Sequence, residues 1–320
     1  MILSLCRPVS KPKGSIPVTS PNMSKISTLS FGLAFPAMVL CFCETPETVN
    51  SPNPEFAMVS DSIPYDLQNP SLTINLVSEE LKEISGLSPT DSAGVYLAVA
   101  DERGEAFFVD GNGGAVLRRV LFRPKGDFEG IEMVGTTIWA AKSNGDMFEI
   151  TDWKKNPPKV KEYKSFLKKQ NDVEGLAYDP WRKALLLSCK EKPDSLYPRN
   201  IYVFNLKTRK LSEKPAYTIQ PEEVNKLVAY GEIEKHDYFS PSGIAVHPLT
   251  GDLYLISTAL KRLVVLDYKT GKLKFAKRLD KKILPQPEGI SFDSAGNLLL
   301  SSEGKMGEGL LLKFDFKGKK

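Results

Sequence analysis

Hydrophobic and polar positions alternate along most of this chain in short runs, with no long helical stripe. Examples are Val95-Tyr96-Leu97-Ala98-Val99, Ile138-Trp139-Ala140-Ala141, Leu185-Leu186-Leu187-Ser188, Leu253-Tyr254-Leu255-Ile256-Ser257 and Leu298-Leu299-Leu300-Ser301. Turn-forming stretches precede three of them: Asp179-Pro180-Trp181, His247-Pro248-Leu249-Thr250-Gly251-Asp252 and Asp293-Ser294-Ala295-Gly296-Asn297. Short apolar runs between turn signals predict strands. Upstream of each run stands a polar residue, a glycine and an aliphatic residue. The five anchors are Ile84-Ser85-Gly86-Leu87, Phe128-Glu129-Gly130-Ile131, Val173-Glu174-Gly175-Leu176, Pro241-Ser242-Gly243-Ile244 and Pro287-Glu288-Gly289-Ile290. The glycine spacing gives five copies of a repeat of roughly 45 residues, one of them carrying an insertion of about 23.

Each copy continues with a third, alternating strand, as in Ile201-Tyr202-Val203-Phe204-Asn205 and Leu263-Val264-Val265-Leu266-Asp267, and a more polar fourth, as in Leu273 to Leu279. Four-stranded antiparallel modules repeated five times predict an all-β fold, a five-bladed β-propeller over residues 70–317. The last copy ends after its third strand, Leu310-Leu311-Leu312-Lys313-Phe314-Asp315-Phe316. The alternating stretch Ser71-Leu72-Thr73-Ile74-Asn75-Leu76-Val77 has no other partner, so it is expected to close the ring as the missing outer strand and remove an exposed edge. The insertion contains Pro221-Glu222-Glu223-Val224-Asn225-Lys226-Leu227-Val228, with proline first and acids in the first turn, which predicts one short helix over one face.

The first residues differ in character. Leu29 to Cys43 is uncharged and apolar, and Met23-Ser24-Lys25 lies just upstream. A short basic start before an apolar run of this length is the pattern of a secretory signal, and the run is short for a membrane span. Met23 then reads as the true start. Cys41 and Cys43 close the run and resemble the lipidation site of a bacterial lipoprotein signal, although Leu40 and Phe42 stand where that signal wants a small residue. Residues 1–43 are accordingly read as an extension with a signal or lipoprotein-like segment, and 44–69, rich in Pro, Ser, Asn and Thr, as a disordered linker. The expected location is extracytoplasmic, in the bacterial cell envelope, with membrane attachment only through a lipid anchor or the signal segment. Cys189 is the only cysteine of the folded part, so no disulfide framework is expected.

The 320 residues carry a net charge of +4 and 41% hydrophobic residues, enough for a substantial core. Basic residues are scattered over turns, as at Lys154-Lys155, Lys168-Lys169 and Lys281-Lys282. That pattern reads as solvated turns and blunted strand edges, and no nucleic-acid partner is expected.

In a propeller the first strand of each blade lines the central channel. Repeat symmetry therefore brings Ser85, Glu129, Glu174, Ser242 and Glu288 toward one axis, and the adjacent glycines let the backbones crowd there. Three carboxylates in a narrow channel do not all stay ionised without a counter-ion. Either some hold protons or a cation sits among them, and a hard cation such as calcium suits an all-oxygen donor set. The competing reading is that these glutamates bond to backbone amides and water and hold nothing. Asp101, Glu191 and Glu303 follow second strands and border the same mouth at varying offsets.

The runs Asn171-Asp172-Val173-Glu174-Gly175-Leu176-Ala177-Tyr178-Asp179, Phe239-Ser240-Pro241-Ser242-Gly243-Ile244-Ala245-Val246-His247-Pro248 and Gln286-Pro287-Glu288-Gly289-Ile290-Ser291-Phe292-Asp293 resemble the SdiA-regulated β-propeller family of bacteria. That family is similar to NHL-repeat propellers and is described as five-bladed with a calcium site. The resemblance implies calcium at Glu129, Glu174 and Glu288, and Ser85 and Ser242 leave the ligand count open. It implies no reaction.

Nucleophile-and-histidine catalysis has little to build on. Of the two histidines, His236 and His247, the latter occupies the turn where other repeats carry Asp179 and Asp293. No Gly-x-Ser-x-Gly elbow and no zinc spacing occur. Gly111-Asn112-Gly113-Gly114 reads as a hairpin turn, and Trp139, Tyr202 and Tyr254 as core. The expected function is a calcium-binding module with a protein, glycan or small-molecule ligand on the propeller face. The alternative is a calcium-dependent phosphoesterase or lactonase that uses the channel metal. N-terminal mass analysis of the native protein is expected to find no intact residues 1–22, and a mature chain that retains them contradicts the start at Met23.

Overall fold

A computed structural model describes residues 62–192, 194–229, 237–304 and 307–318. Strand β1 (Leu72–Asn75) comes first. Blade 1 is β2 (Ile84–Pro89), β3 (Val95–Ala100), β4 (Gly104–Asp110) and β5 (Val116–Arg123). Blade 2 is β6 (Phe128–Val134), β7 (Thr137–Lys142), β8 (Met147–Thr151) and β9 (Lys159–Tyr163). Blade 3 is β10 (Val173–Asp179), β11 (Ala184–Cys189) and β12 (Arg199–Asn205), with its outer place shared by β13 (Lys210–Leu211) and β14 (Tyr217–Ile219). Helix α1 (Pro221–Leu227) follows, as the insertion predicted. Blade 4 is β15 (Gly243–Val246), β16 (Leu253–Ser257), β17 (Arg262–Leu266) and β18 (Leu273–Arg278). Blade 5 is β19 (Pro287–Phe292), β20 (Leu298–Ser302) and β21 (Leu310–Phe314), completed by β1.

The five-bladed propeller is therefore observed, with the expected closure. Strand β1 pairs antiparallel with β21 in the register Leu72↔Lys313, Thr73↔Leu312, Ile74↔Leu311 and Asn75↔Leu310. Ile74 and Leu76 are buried with Leu311, Leu299 and the blade 1 side chains Leu97's neighbours Tyr96 and Ala98. The packed chain begins earlier than the linker reading of 44–69 implied. Tyr65 is 6% and Leu67 3% exposed, both in the core between blades 4 and 5. Two apolar side chains with a buried cavity to fill outweigh a local composition that reads as tether. Cys41 and Cys43 lie outside the described residues.

Each inner strand, β2, β6, β10, β15 and β19, contacts the inner strands of both neighbouring blades, and β19 returns to β2. The anchor glycines make this approach feasible. A Cβ on Gly130 would lie 2.5 Å from Leu176 Cβ, one on Gly175 2.8 Å from the Ile244 backbone nitrogen, and one on Gly289 2.8 Å from Leu87 Cβ. Each glycine thus meets the next blade at its own anchor's aliphatic residue. Leu87, Ile131, Leu176, Ile244 and Ile290, all 5% exposed or less, form a belt across the channel.

Adding a methyl group at this contact requires backbone movement. Gly130→Ala is expected to cost about 1–3 kcal/mol. Gly307→Ala, with nothing within 4 Å of the added Cβ, is expected to be nearly neutral. Equal melting temperatures for the two variants in chemical or thermal unfolding would contradict this packing.

Candidate functional site

The register of the inner two strands defines a mouth at the start of the inner strands. Gly86 pairs with Val99, Gly130 with Ala141, Gly175 with Ser188 and Gly243 with Ile256. Three tiers of equivalent positions follow. The anchor tier is Ser85, Glu129, Glu174, Ser242 and Glu288. Two residues earlier stand Glu83, Asp127, Asp172, Ser240 and Gln286, and just beyond the second strands stand Asp101, Ser143, Lys190, Thr258 and Glu303. These fifteen positions hold eight carboxylates and one ammonium, in a chain whose net charge is positive.

Ser85, Glu129, Glu174 and Glu288 line one narrow space at the aliphatic belt, with a free volume of about 10 Å³, which holds no more than a single water, while Ser242 stands outside that lining. Glu174 is buried, and Glu129 and Glu288 are half-buried. Desolvation raises the pKa of all three. For Glu129 the Glu174 and Asp127 charges add to it, and for Glu288, pushed up to about 8, the Glu174 charge does. Burial likewise raises Asp101, Asp172 and Glu303, each further raised by neighbouring acids. The physical origin is shared: charged oxygens out of water and beside one another.

Lys190 is the internal answer to this charge. Its Nζ donates to Glu174 Oε1 at 3.0 Å, and its proton is held above the usual lysine range by Glu174, Asp172 and Glu288 against the opposing effect of burial. Sequence reading placed Glu191 at this border and passed over Lys190. The register corrects that by one residue: Lys190 is the equivalent of Asp101 and Glu303, while Glu191 accepts from Asn171 Nδ2 at 3.1 Å. The serines are engaged by backbone. Ser242 Oγ donates to the Pro287 carbonyl at 2.9 Å and accepts from Thr258 Oγ1 at 3.0 Å, whereas Ser85 Oγ reaches the Glu83 carbonyl only at 3.4 Å.

The donor set fits a hard cation in its chemistry. All candidate ligands are oxygens, and the buried Asp101 Oδ1 has no hydrogen-bond partner. As placed, no three carboxylate, imidazole or thiolate groups among the described residues stand close enough together to hold an ion. A cation there would need the glutamates to draw inward.

His247 serves structure. It is fully buried, its Nδ1 accepts from the Leu249 and Thr250 amides at 3.1 Å each, and Nε2 meets Tyr65 Oη at 2.8 Å. Tyr65 donates to the Gly296 carbonyl at 2.6 Å, and burial pushes the imidazole pKa down to about 3. It is the turn residue its repeat position implied. Cys189 is buried, and its thiol is pushed up to about 12, chiefly by that burial. Trp139, Tyr202 and Tyr254 are core side chains.

The profile of the SdiA-regulated family matches residues 65–306. The chain belongs to the SdiA-regulated family. No curated protein matches it in sequence. Among solved structures it is similar to a Myxococcus xanthus glutaminyl cyclase, at 12% identity and a TM-score of 0.51 over 79% of this chain and 97% of that one. It also resembles the PQQ-bound aldose sugar dehydrogenase of Streptomyces coelicolor, at 13% identity and a TM-score of 0.48 over 77% and 97%, and the WD40 β-propeller domain of Doa1, at 8% and 0.42 over 72% and 78%. These likenesses concern fold alone.

The raised carboxyl of Glu288 has a signed consequence. The folded chain keeps a proton that the unfolded chain releases near the ordinary value of 4.5, so this stabilisation is complete below that value and is lost as pH rises through about 8. Glu129 and Glu174 act in the same direction. Between about pH 6.5 and 8.5, above the range where His247 contributes, the melting temperature is expected to fall. A Glu129/Glu174/Glu288 triple Gln variant is expected to show a shallower fall, and identical slopes would contradict the assignment.

Proposed function

We propose that this SdiA-regulated propeller is an extracytoplasmic binding module whose acidic mouth takes up calcium. One observation carries the reading: the fifteen equivalent positions of the mouth hold eight carboxylates and one ammonium, and six of the carboxylates have raised pKa values. Buried carboxyls with raised pKa values and acidic neighbours give up protons when a divalent cation takes their place. Glu129, Glu174 and Glu288 would supply the ligands, with Asp101 Oδ1 an oxygen still unpartnered. Bound calcium would offset part of the negative charge of the mouth and tie three blades together. The envelope location rests on the Leu29–Cys43 segment and its two cysteines.

A binding role is favoured over hydrolysis because no histidine among the described residues reaches the mouth. His247 is locked among core groups. The carboxylates nearest the axis are those the ion itself would occupy. A calcium-dependent phosphoesterase or lactonase remains the alternative, and it requires an acid outside that set. No described helix is long and apolar enough to cross a membrane.

Thermal unfolding of the full chain in EDTA and then in excess calcium tests the reading, beside the triple Gln variant. A ligand held at about 100 times its Kd stabilises by ~2.7 kcal/mol, so a rise of several degrees is expected in the parent and none in the variant. No rise in the parent, or an equal rise in the variant, would remove calcium from this mouth.

A further inference from the structure

The face opposite the acidic mouth carries a cavity of about 500 Å³, within the usual range of roughly 300–1,000 Å³ for small-molecule sites. It is built by the turns that follow the inner strands, and the aliphatic belt of Leu87, Ile131, Leu176, Ile244 and Ile290 divides it from the acidic mouth. Tyr96, Met133, Tyr178 and Phe292 contribute walls, Lys313 lies at the lining, and Glu132 is the carboxylate set deepest.

Glu132 is unusual by its repeat position. Two residues past the anchor glycine the other blades carry Ser88, Ala177, Ala245 and Ser291, all small. Its carboxylate bridges three blades. Oε1 accepts the Ser88 hydroxyl of blade 1 and the Met133 amide at 3.1 Å, and Oε2 accepts the Tyr178 amide of blade 3 at 2.8 Å. Oε2 thus takes one bond where it has room for two. Desolvation raises the pKa to about 7 against those three hydrogen bonds, and no cation contributes. Lys313, the cation of the lining, pairs with Asp293 at 3.5 Å. A buried carboxylate held ready by three donors and lacking positive charge asks for it from a ligand.

We propose that this cavity is a second ligand site, which takes a small organic amine with its ammonium on Glu132 Oε2 and its apolar body against Tyr96, Met133, Tyr178 and Phe292. The site is independent of the acidic mouth, and either reading survives failure of the other.

The probes are 2-phenylethylamine, benzylamine and cyclohexylamine at millimolar concentration, with 2-phenylethanol as the neutral isostere, titrated calorimetrically into the full chain. At about pH 8, with Glu132 ionised, the amine is expected to bind at least about tenfold more tightly than the alcohol, and the gap is expected to narrow toward about pH 6. Glu132→Gln is expected to remove the preference, while the Glu129/Glu174/Glu288 triple Gln variant keeps it. Should Glu132→Gln fail to fold, Ser294→Trp, at an exposed position of the lining, is expected to block the amine and leave the melting temperature unchanged. Absence of binding by all three amines overturns the proposal. So does equal affinity for amine and alcohol, or amine binding that survives Ser294→Trp or is lost in the mouth variant alone.

Discussion

Five glycines set the distance between blades, and the rest of the molecule follows from that distance. With no side chain at Gly86, Gly130, Gly175, Gly243 and Gly289, each inner strand lies against the anchor of the next blade. The aliphatic residue after each glycine then completes a belt that seals the channel. The residue before each glycine is drawn to the axis above it. A ring this narrow takes Glu129, Glu174 and Glu288 out of water and sets other acids beside them, and burial first, then those charges, raises their pKa values. Packing and electrostatics here are one constraint seen from two sides of the belt.

Repeats made most of the fold legible. The spacing of the anchors, the missing outer strand of the last repeat and the unpartnered run at Ser71 to Val77 together define five blades and their closure, because each is a local pattern with a global partner. The broken outer edge of blade 3, where β13 and β14 share one place, escaped notice, since a strand of two or three residues leaves no period to read. Tyr65 and Leu67 were hidden for a different reason. Two apolar side chains among Pro, Ser and Asn look like linker until the cavity they fill is known.

The site was legible in part. Symmetry pointed to the space that the three glutamates and Ser85 line, though not to the exclusion of Ser242 from it, and it did not reveal Lys190. That lysine becomes visible only when strand register, with its bulge at Val173 and Gly175, fixes which residue after the second strand reaches the mouth. Glu132 had a signal that comparison of repeats could have found: one acid where four copies have serine or alanine. Its meaning still depended on the tertiary structure, because its partners come from three blades.

The account turns on an exchange of protons for metal at one mouth. Calorimetric titration of calcium into the full chain at about pH 7, in two buffers of different ionisation enthalpy, counts the protons released on binding. Release of about one proton or more per calcium is expected, because carboxyls with raised pKa values must ionise to act as ligands. Calcium binding with no proton release, or no binding at all, would contradict the claim that the buried carboxylates of this mouth form a cation site.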